Sequence, residues 1–266
     1  MLKDFSQLIK KIKQKKSLSQ VFLKNKKIAQ RIVDSLELKG EETVLEIGVG
    51  EGILTEYLIK KAKFVYGVEI DKRLIALLSE KFKNIENLEL ICKDILQYDI
   101  SDKKDLIIVG NIPFSISTPL IFWLLKYRKN FQKAVLSFQK EFAFKLLAKI
   151  KTKDYSPITI LTNNFFIKKS LFVIERKYFS PPPKVSTMVM LIIPREKPFY
   201  DVNYESFFKF LRTIFSQRRK KLINIISNNF GKEKLEFLKE LPIDLTKRPE
   251  ESELKEFYLL FIKLAK

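Results

Sequence analysis

Thr43-Val44-Leu45-Glu46-Ile47-Gly48-Val49-Gly50-Glu51-Gly52 passes from a short apolar run into three glycines within five residues. The run reads as a buried strand, and the glycines as a tight turn whose backbone can approach a ligand. Working outward, Lys26–Glu37 reads as a helix with Ile28, Ile32, Val33 and Leu36 on one face. A helix is predicted from about Ile53 to Lys61, a strand over Phe64–Ile70 and a helix over Asp71–Phe82. Leu88–Cys92, Leu106–Val109 and Ala134–Phe138 are further strands. Strands alternating with helices predict an α/β fold with a mostly parallel sheet. Phe166–Ile174 and Met188–Ile193, joined by a proline-rich connection, are expected to pair as an antiparallel edge. From Tyr204 onward the apolar spacing is helical, with Phe207, Phe208, Leu211, Ile214 and Phe215 on one face and breaks near Gly231 and Pro242. The expected domains are 1–195 and 196–266, the second small and all-helical.

A chain of 266 residues with 51 Lys and Arg against 31 Asp and Glu carries a formal charge of +20. Such an excess points to a polyanionic partner, because each neutralised phosphate releases condensed counterions. The first 16 residues hold six Lys and one Asp around Leu2, Phe5, Leu8, Ile9 and Ile12. This basic amphipathic helix could meet RNA or a lipid surface, and RNA is favoured. No apolar run approaches the roughly 18 residues a spanning helix needs, and with RNA favoured for the basic helix no membrane partner is expected. The chain has no His and one Cys, Cys92. That excludes a Ser-His-Asp triad, a Cys/His zinc site and an intrachain disulfide, and suits the cytoplasm.

The glycine spacing is G-x-G-x-G rather than the dinucleotide pattern G-x-G-x-x-G. Glu46 beside it would repel a pyrophosphate but suits a ligand bearing positive charge, which favours S-adenosylmethionine over NAD. A plain tight turn is the competing reading. Glu69, followed by Ile70, ends the next strand, where a carboxylate can accept both hydroxyls of a ribose. Asp94 follows the third strand and could accept an adenine amine, with Ile95 covering the ring, or simply cap a turn.

Asn111-Ile112-Pro113-Phe114 closes the strand beginning at Leu106. The Asn111 side-chain carbonyl and the Ile112 backbone carbonyl can accept the two hydrogens of a planar amine, with the Phe114 ring on the base. A strand-end turn is the alternative. Phe179-Ser180-Pro181-Pro182-Pro183-Lys184-Val185-Ser186 is stiffened by three prolines. Phe179 could flank a flipped base opposite Phe114, or pack in the core. Arg218-Arg219-Lys220-Lys221 places four consecutive cations on a predicted helix, for phosphate contact or as a solvated face.

Together these residues, with Ser19-Gln20-Val21-Phe22-Leu23, closely resemble the KsgA/Dim family of small-subunit rRNA adenine dimethyltransferases. The resemblance implies a Rossmann-like methyltransferase sheet with an antiparallel edge strand, plus a helical RNA-binding domain. It implies that Gln20–Leu23 closes over S-adenosylmethionine, that Glu69 holds the ribose and Asp94 the adenine, and that Asn111 meets both cofactor and target amine. The implied cofactor residues are Gln20, Val21, Leu23, Glu46, Gly48, Gly50, Glu69, Ile70, Asp94, Ile95 and Asn111. The implied catalytic set is Asn111, Ile112, Pro113, Phe114 and Phe179, and Lys184 joins Arg218–Lys221 in RNA contact. The family often has Asn where this chain has Val21, so only a backbone contact carries over there. Phe114 replaces a commoner Tyr, keeping the stack without the hydroxyl. The implied substrate is a pair of adjacent adenosines in a hairpin near the 3′ end of small-subunit rRNA, each dimethylated. The expected partner is the immature small subunit, and a monomer is expected. Erm-type methylation of large-subunit rRNA and a non-catalytic assembly role are the alternatives.

Overall fold

A computed structural model of the chain describes residues 21–264. The expected basic helix over residues 1–16, and Gln20, lie outside the described residues. The described chain begins with a two-residue strand, β1 (Phe22–Leu23), and helix α1 (Lys26–Asp34), whose first turn is capped by Asn25 through Ile28 N–H at 3.0 Å. The helix was expected to reach Glu37. It stops earlier, and Glu37 adopts a left-handed φ of 52°.

Strands β2 (Thr43–Ile47), β3 (Phe64–Glu69), β4 (Leu88–Cys92), β5 (Leu106–Asn111) and β6 (Phe131–Gln139) run parallel. Their spatial order is β4-β3-β2-β5-β6, followed by β9 (Thr187–Pro194) and β7 (Phe166–Ile174). β9 is antiparallel to β6, and β7 lies beyond β9 at the edge, so the two late strands are sheet neighbours. The parallel strands form because their sequences are near-continuous apolar runs, fit to be covered on both faces. Leu106 to Gly110 of β5, for example, are all buried. The chain builds β2, β3 and β4 in one direction and then returns to lay β5 on the other side of β2. Crevices that bind ligands open at such a reversal, beyond the carboxyl ends of the strands. Both the glycine turn after β2 and Asn111 at the end of β5 lie there. Gly110 is required at this point, because a Cβ would stand 2.5 Å from the Ile47 carbonyl oxygen.

Between β2 and β3 the regular helix α2 is confined to Thr55–Leu58, shorter than the predicted 53–61. β-Branched Ile53, Thr55 and Ile59 weaken it. α3 (Lys72–Lys81) matches its expected span, with Asp71 accepting from Arg73 N–H as its cap and Phe82 closing it. Helices α4 (Ser117–Lys126), α5 (Lys140–Leu147) and α6 (Pro157–Phe165) were not foreseen. β8 (Phe179–Ser180) pairs antiparallel with β1.

The division into units corrects the expected one. One compact unit is the chain through Ala143 with Lys169–Pro194, and the other is Phe144–Lys168 with Arg195 onward. The expected boundary near 195 is thus the last of three crossings. Residues 144–168 join the second unit because α6 is buried on most of its circumference and carries Asn164. The Asn164 amide exchanges two 2.9 Å hydrogen bonds with the backbone of Tyr200. The rest of that unit is helical: α7 (Tyr204–Phe215), α8 (Leu222–Phe230), α9 (Lys234–Leu238) and α10 (Leu254–Leu264).

Candidate active site

The carboxyl edge of the sheet holds a cavity of about 220 Å³. Its walls come from the turn after β2, the ends of β3 and β5, the 3-10 turn after β4 and the segment beginning at Val21. Glu46, Gly48, Gly50, Glu69, Ile70, Asp94, Ile95, Val21, Leu23 and Asn111 all line it. Gly50 adopts φ 58°, and a Cβ there would press on the Phe22 ring at 3.2 Å. That backbone turn aims the Gly50 N–H at Glu69 Oε2, 2.9 Å away.

Glu69 is 6 % exposed, and its other oxygen accepts from the N–H groups of Ile70 and Asp71, each at 3.0 Å. Burial pushes its carboxyl pKa up, and the three N–H donors oppose that shift. Oε2, which accepts only from Gly50, keeps lone-pair capacity for a further donor, such as a hydroxyl of a diol. Glu46 is 1 % exposed; Thr55 Oγ1 donates to its Oε2 at 2.7 Å, while Oε1 has no partner among the described residues. Burial pushes this carboxyl up to about 8, with Glu69 adding to the shift and the Thr55 hydroxyl opposing it. An unpartnered buried carboxyl oxygen costs free energy until a donor or cation reaches it. Asp94 does cap the 3-10 turn over Ile95–Gln97, accepting from Leu96 N–H at 2.9 Å with Oδ1 alone. Ile95 is buried beside it, and Ile70, at 47 % exposure, supplies apolar surface at the rim. An acidic floor, a carboxylate at a strand end and two isoleucines fit a ligand with a cationic end, a ribose and a flat base.

Residues 21–24 strap this cavity. Leu23 pairs with Phe179 and Phe22 with Ser180, and Lys24 N–H donates to the Tyr178 carbonyl at 2.8 Å. Lys24 also forms an ion pair with Glu51 in the glycine turn.

A second, smaller hollow is lined by Val21, Asn111, Ile112, Pro113, Phe114 and Phe179. Val21, Asn111 and Pro113 therefore line both hollows. Phe114 is half-buried and opens a 3-10 turn that leads into α4. Phe179 is 4 % exposed and packs into the core, as one of its two sequence readings expects, and it also lines this hollow. The Asn111 amide is held on both sides. Its Nδ2 donates to the Val21 carbonyl at 3.0 Å, and its Oδ1 accepts from Ser137 Oγ at 2.6 Å. Ser137 and Thr55 escaped the sequence reading. The available signal for Ser137 was one hydroxyl inside the apolar run Ala134–Phe138.

The cationic run departs from expectation. Arg218–Lys221 lies not on a helix but in the connection between α7 and α8, with Lys221 as the cap of α8. Phe215 ends α7, and Lys220 N–H bonds back to the Gln217 carbonyl in a turn. The Arg218 guanidinium is committed within its own unit, to the Thr152 carbonyl at 2.8 Å, the Lys153 carbonyl and Glu250. Arg219, Lys220 and Lys221 are exposed, as is Lys184 on the proline-rich connection. No helix among the described residues is long and apolar enough to cross a membrane.

The sequence profile of the family described as "Ribosomal RNA adenine dimethylase" matches residues 11–266. A protein from Mycoplasma mobile named "Ribosomal RNA small subunit methyltransferase A" is 38% identical over 251 residues, covering 94% of this chain and 98% of its own. The crystal structure of a dimethyladenosine transferase from Plasmodium falciparum superposes with a TM-score of 0.78 at 32% identity, covering 92% of this chain and 98% of that one. The 23S rRNA methyltransferase ErmE gives 0.69 at 27% identity, covering 92% of this chain and all of that one.

Proposed function

The chain belongs to the ribosomal RNA adenine dimethylase family, and from that premise we propose how its site works and on what it acts. It is an rRNA adenine dimethyltransferase of the small-subunit type that uses S-adenosylmethionine. The finer reading is that it dimethylates N6 of two adjacent adenosines in a hairpin near the 3′ end of small-subunit rRNA. It does so on the immature subunit, in the cytoplasm, as a monomer. The observation that carries this reading is Asn111 in a wall common to the large hollow and the small aromatic one.

Glu46, Glu69, Asp94 and Ile95 would hold S-adenosylmethionine, which supplies a methyl group on a sulfonium, whose sulfur would leave as a neutral thioether, an excellent leaving group. The residues here therefore need neither a strong acid nor a strong base, in keeping with a chain that has no His. Their task is orientation, which can supply roughly 7–11 kcal/mol at best. An adenine amine is a poor nucleophile because its lone pair is delocalised into the ring. The second lone pair of Asn111 Oδ1 and the Ile112 carbonyl accept its two hydrogens, favour a pyramidal nitrogen and stabilise its developing positive charge. Unstacking the base costs a few kcal/mol, which the Phe114 and Phe179 rings partly recover by stacking. The strap at residues 21–24 keeps water from the reacting centre.

The test is transfer of labelled methyl from S-adenosylmethionine to immature small subunits, large subunits and naked rRNA, followed by nucleoside mapping. Dimethyladenosine at adjacent positions of small-subunit rRNA alone is expected. Labelling confined to the large subunit, or no labelling of any RNA, would overturn the reading.

A further inference from the structure

We propose that Ser137 is the positioning residue for Asn111, setting which way its amide carbonyl points during methyl transfer. The inference rests on the functional reading above. β5 and β6 are registered so that Asn111 pairs directly with Ser137. Ser137 is 1 % exposed, with Leu136 and Phe138 on either side fully buried. A hydroxyl in such surroundings is costly unless it is hydrogen-bonded.

The chemistry of the neighbours assigns every atom. The Val21 carbonyl can only accept, so Nδ2 must face it, and it does so at 3.0 Å. That places Oδ1 toward Ser137 Oγ, 2.6 Å away. Oδ1 also can only accept, so the Ser137 proton must be the one donated. The Gly110 carbonyl, at 3.5 Å from Ser137 Oγ, is a poorer acceptor for that proton. The terminal torsion of an Asn is broad and two-fold, so packing alone does not fix an amide plane. Without the hydroxyl the amide would be tethered only at its nitrogen, by the strap. Its carbonyl would then be free to swing away from the place where the target amine must find it. Ser137 lines neither hollow, so its hydroxyl acts through Asn111.

The experiment compares Ser137→Ala, Ser137→Thr, Asn111→Ala and the double variant Asn111→Ala/Ser137→Ala in single-turnover methylation of small subunits. Calorimetry measures S-adenosylmethionine affinity, and filter binding measures RNA affinity. Ser137→Ala is expected to slow the transfer step by about three- to tenfold, the equivalent of one net hydrogen bond. Both affinities should remain within about twofold. Ser137→Thr, which keeps a hydroxyl, should recover most of the rate. In the Asn111→Ala background, Ser137→Ala should have no further effect on rate, because the two side chains act as one unit. A wild-type rate in Ser137→Ala, or multiplicative losses in the double variant, would overturn the proposal while leaving the function intact. Absence of methyl transfer by the unsubstituted protein would overturn both.

Discussion

We predict that cofactor binding releases a proton from Glu46. Its carboxyl is buried, bonded by Thr55 of α2 and faced by Glu69 from β3, with Lys81 of α3 exerting an opposing cationic influence. Burial is the largest cause of its displaced pKa of about 8, Glu69 reinforces it, and the Thr55 and Lys81 contributions oppose it. At pH 7 such a group is about 0.9 protonated in the free protein. A ligand bringing positive charge to Oε1 favours the carboxylate. Binding should then release about 0.9 proton at pH 7, about half a proton at pH 8 and about 0.1 at pH 9. Apparent affinity should climb about tenfold per pH unit below 8 and level off above it. Calorimetry in buffers of different ionisation enthalpy measures the release directly. Glu46→Gln should abolish it and weaken binding at least about tenfold above pH 8, where the carboxylate would otherwise be fully charged. The same shift sets a stability dependence of defined sign. A carboxyl whose folded pKa is raised contributes fully below the unfolded value of 4.5, and that contribution is lost as pH rises through about 8. By pH 7 the loss amounts to about 3 kcal/mol, so Glu46→Gln should raise the melting temperature there and not at pH 4. Equal proton release by the wild-type and Glu46→Gln proteins, or none by either, would refute the reasoning.

Glu69→Ala should weaken S-adenosylmethionine binding at least about tenfold, and calorimetry giving unchanged affinity would remove Glu69 from the ribose role. Asn111→Ala should lower the single-turnover transfer rate by about two orders of magnitude or more, with rRNA affinity by filter binding little changed because phosphates dominate it. Phe114→Ala should slow transfer, while Phe114→Tyr should keep most of the rate because the stacking ring survives. Neutralising Arg219, Lys220 and Lys221 should flatten the salt dependence of rRNA binding by about one unit of slope per lost phosphate contact. Arg218→Ala, by contrast, should chiefly lower thermal stability, since its guanidinium fastens Thr152, Lys153 and Glu250.

The parts of the fold legible in the sequence were those whose cause is local. Thr43–Ile47 and Leu88–Cys92 are apolar runs bounded by turn residues, and both strands have the expected ends. Residues 144–168 were illegible as part of the second unit because what holds them there is long-range. Asn164 must find Tyr200, 36 residues away, and no periodicity announces that. The cationic run failed for a different reason. Gln217 and Ser216 carry no strong helix-stop signal, so four charges after an amphipathic helix read as its continuation. Arg218 reads as a phosphate contact in the sequence, whereas the backbone carbonyls of Thr152 and Lys153 that its guanidinium meets leave no sequence pattern.

The strap at Val21–Lys24 contacts the walls of both hollows. Four consecutive residues reach them: Val21 through its carbonyl to Asn111, Phe22 over Gly50, Leu23 paired with Phe179, and Lys24 bound to Glu51. Three of these links use main-chain atoms or a generic apolar ring. Substitution of Asn by Val at position 21 therefore leaves the strap's bond to Asn111 in place. An enzyme that needs no acid or base must obtain its rate from placement, and placement here depends on the segment that joins the cofactor turn to the target wall. Asn111 is the point where that dependence converges, because it bonds to the strap on one side and to the sheet, through Ser137, on the other.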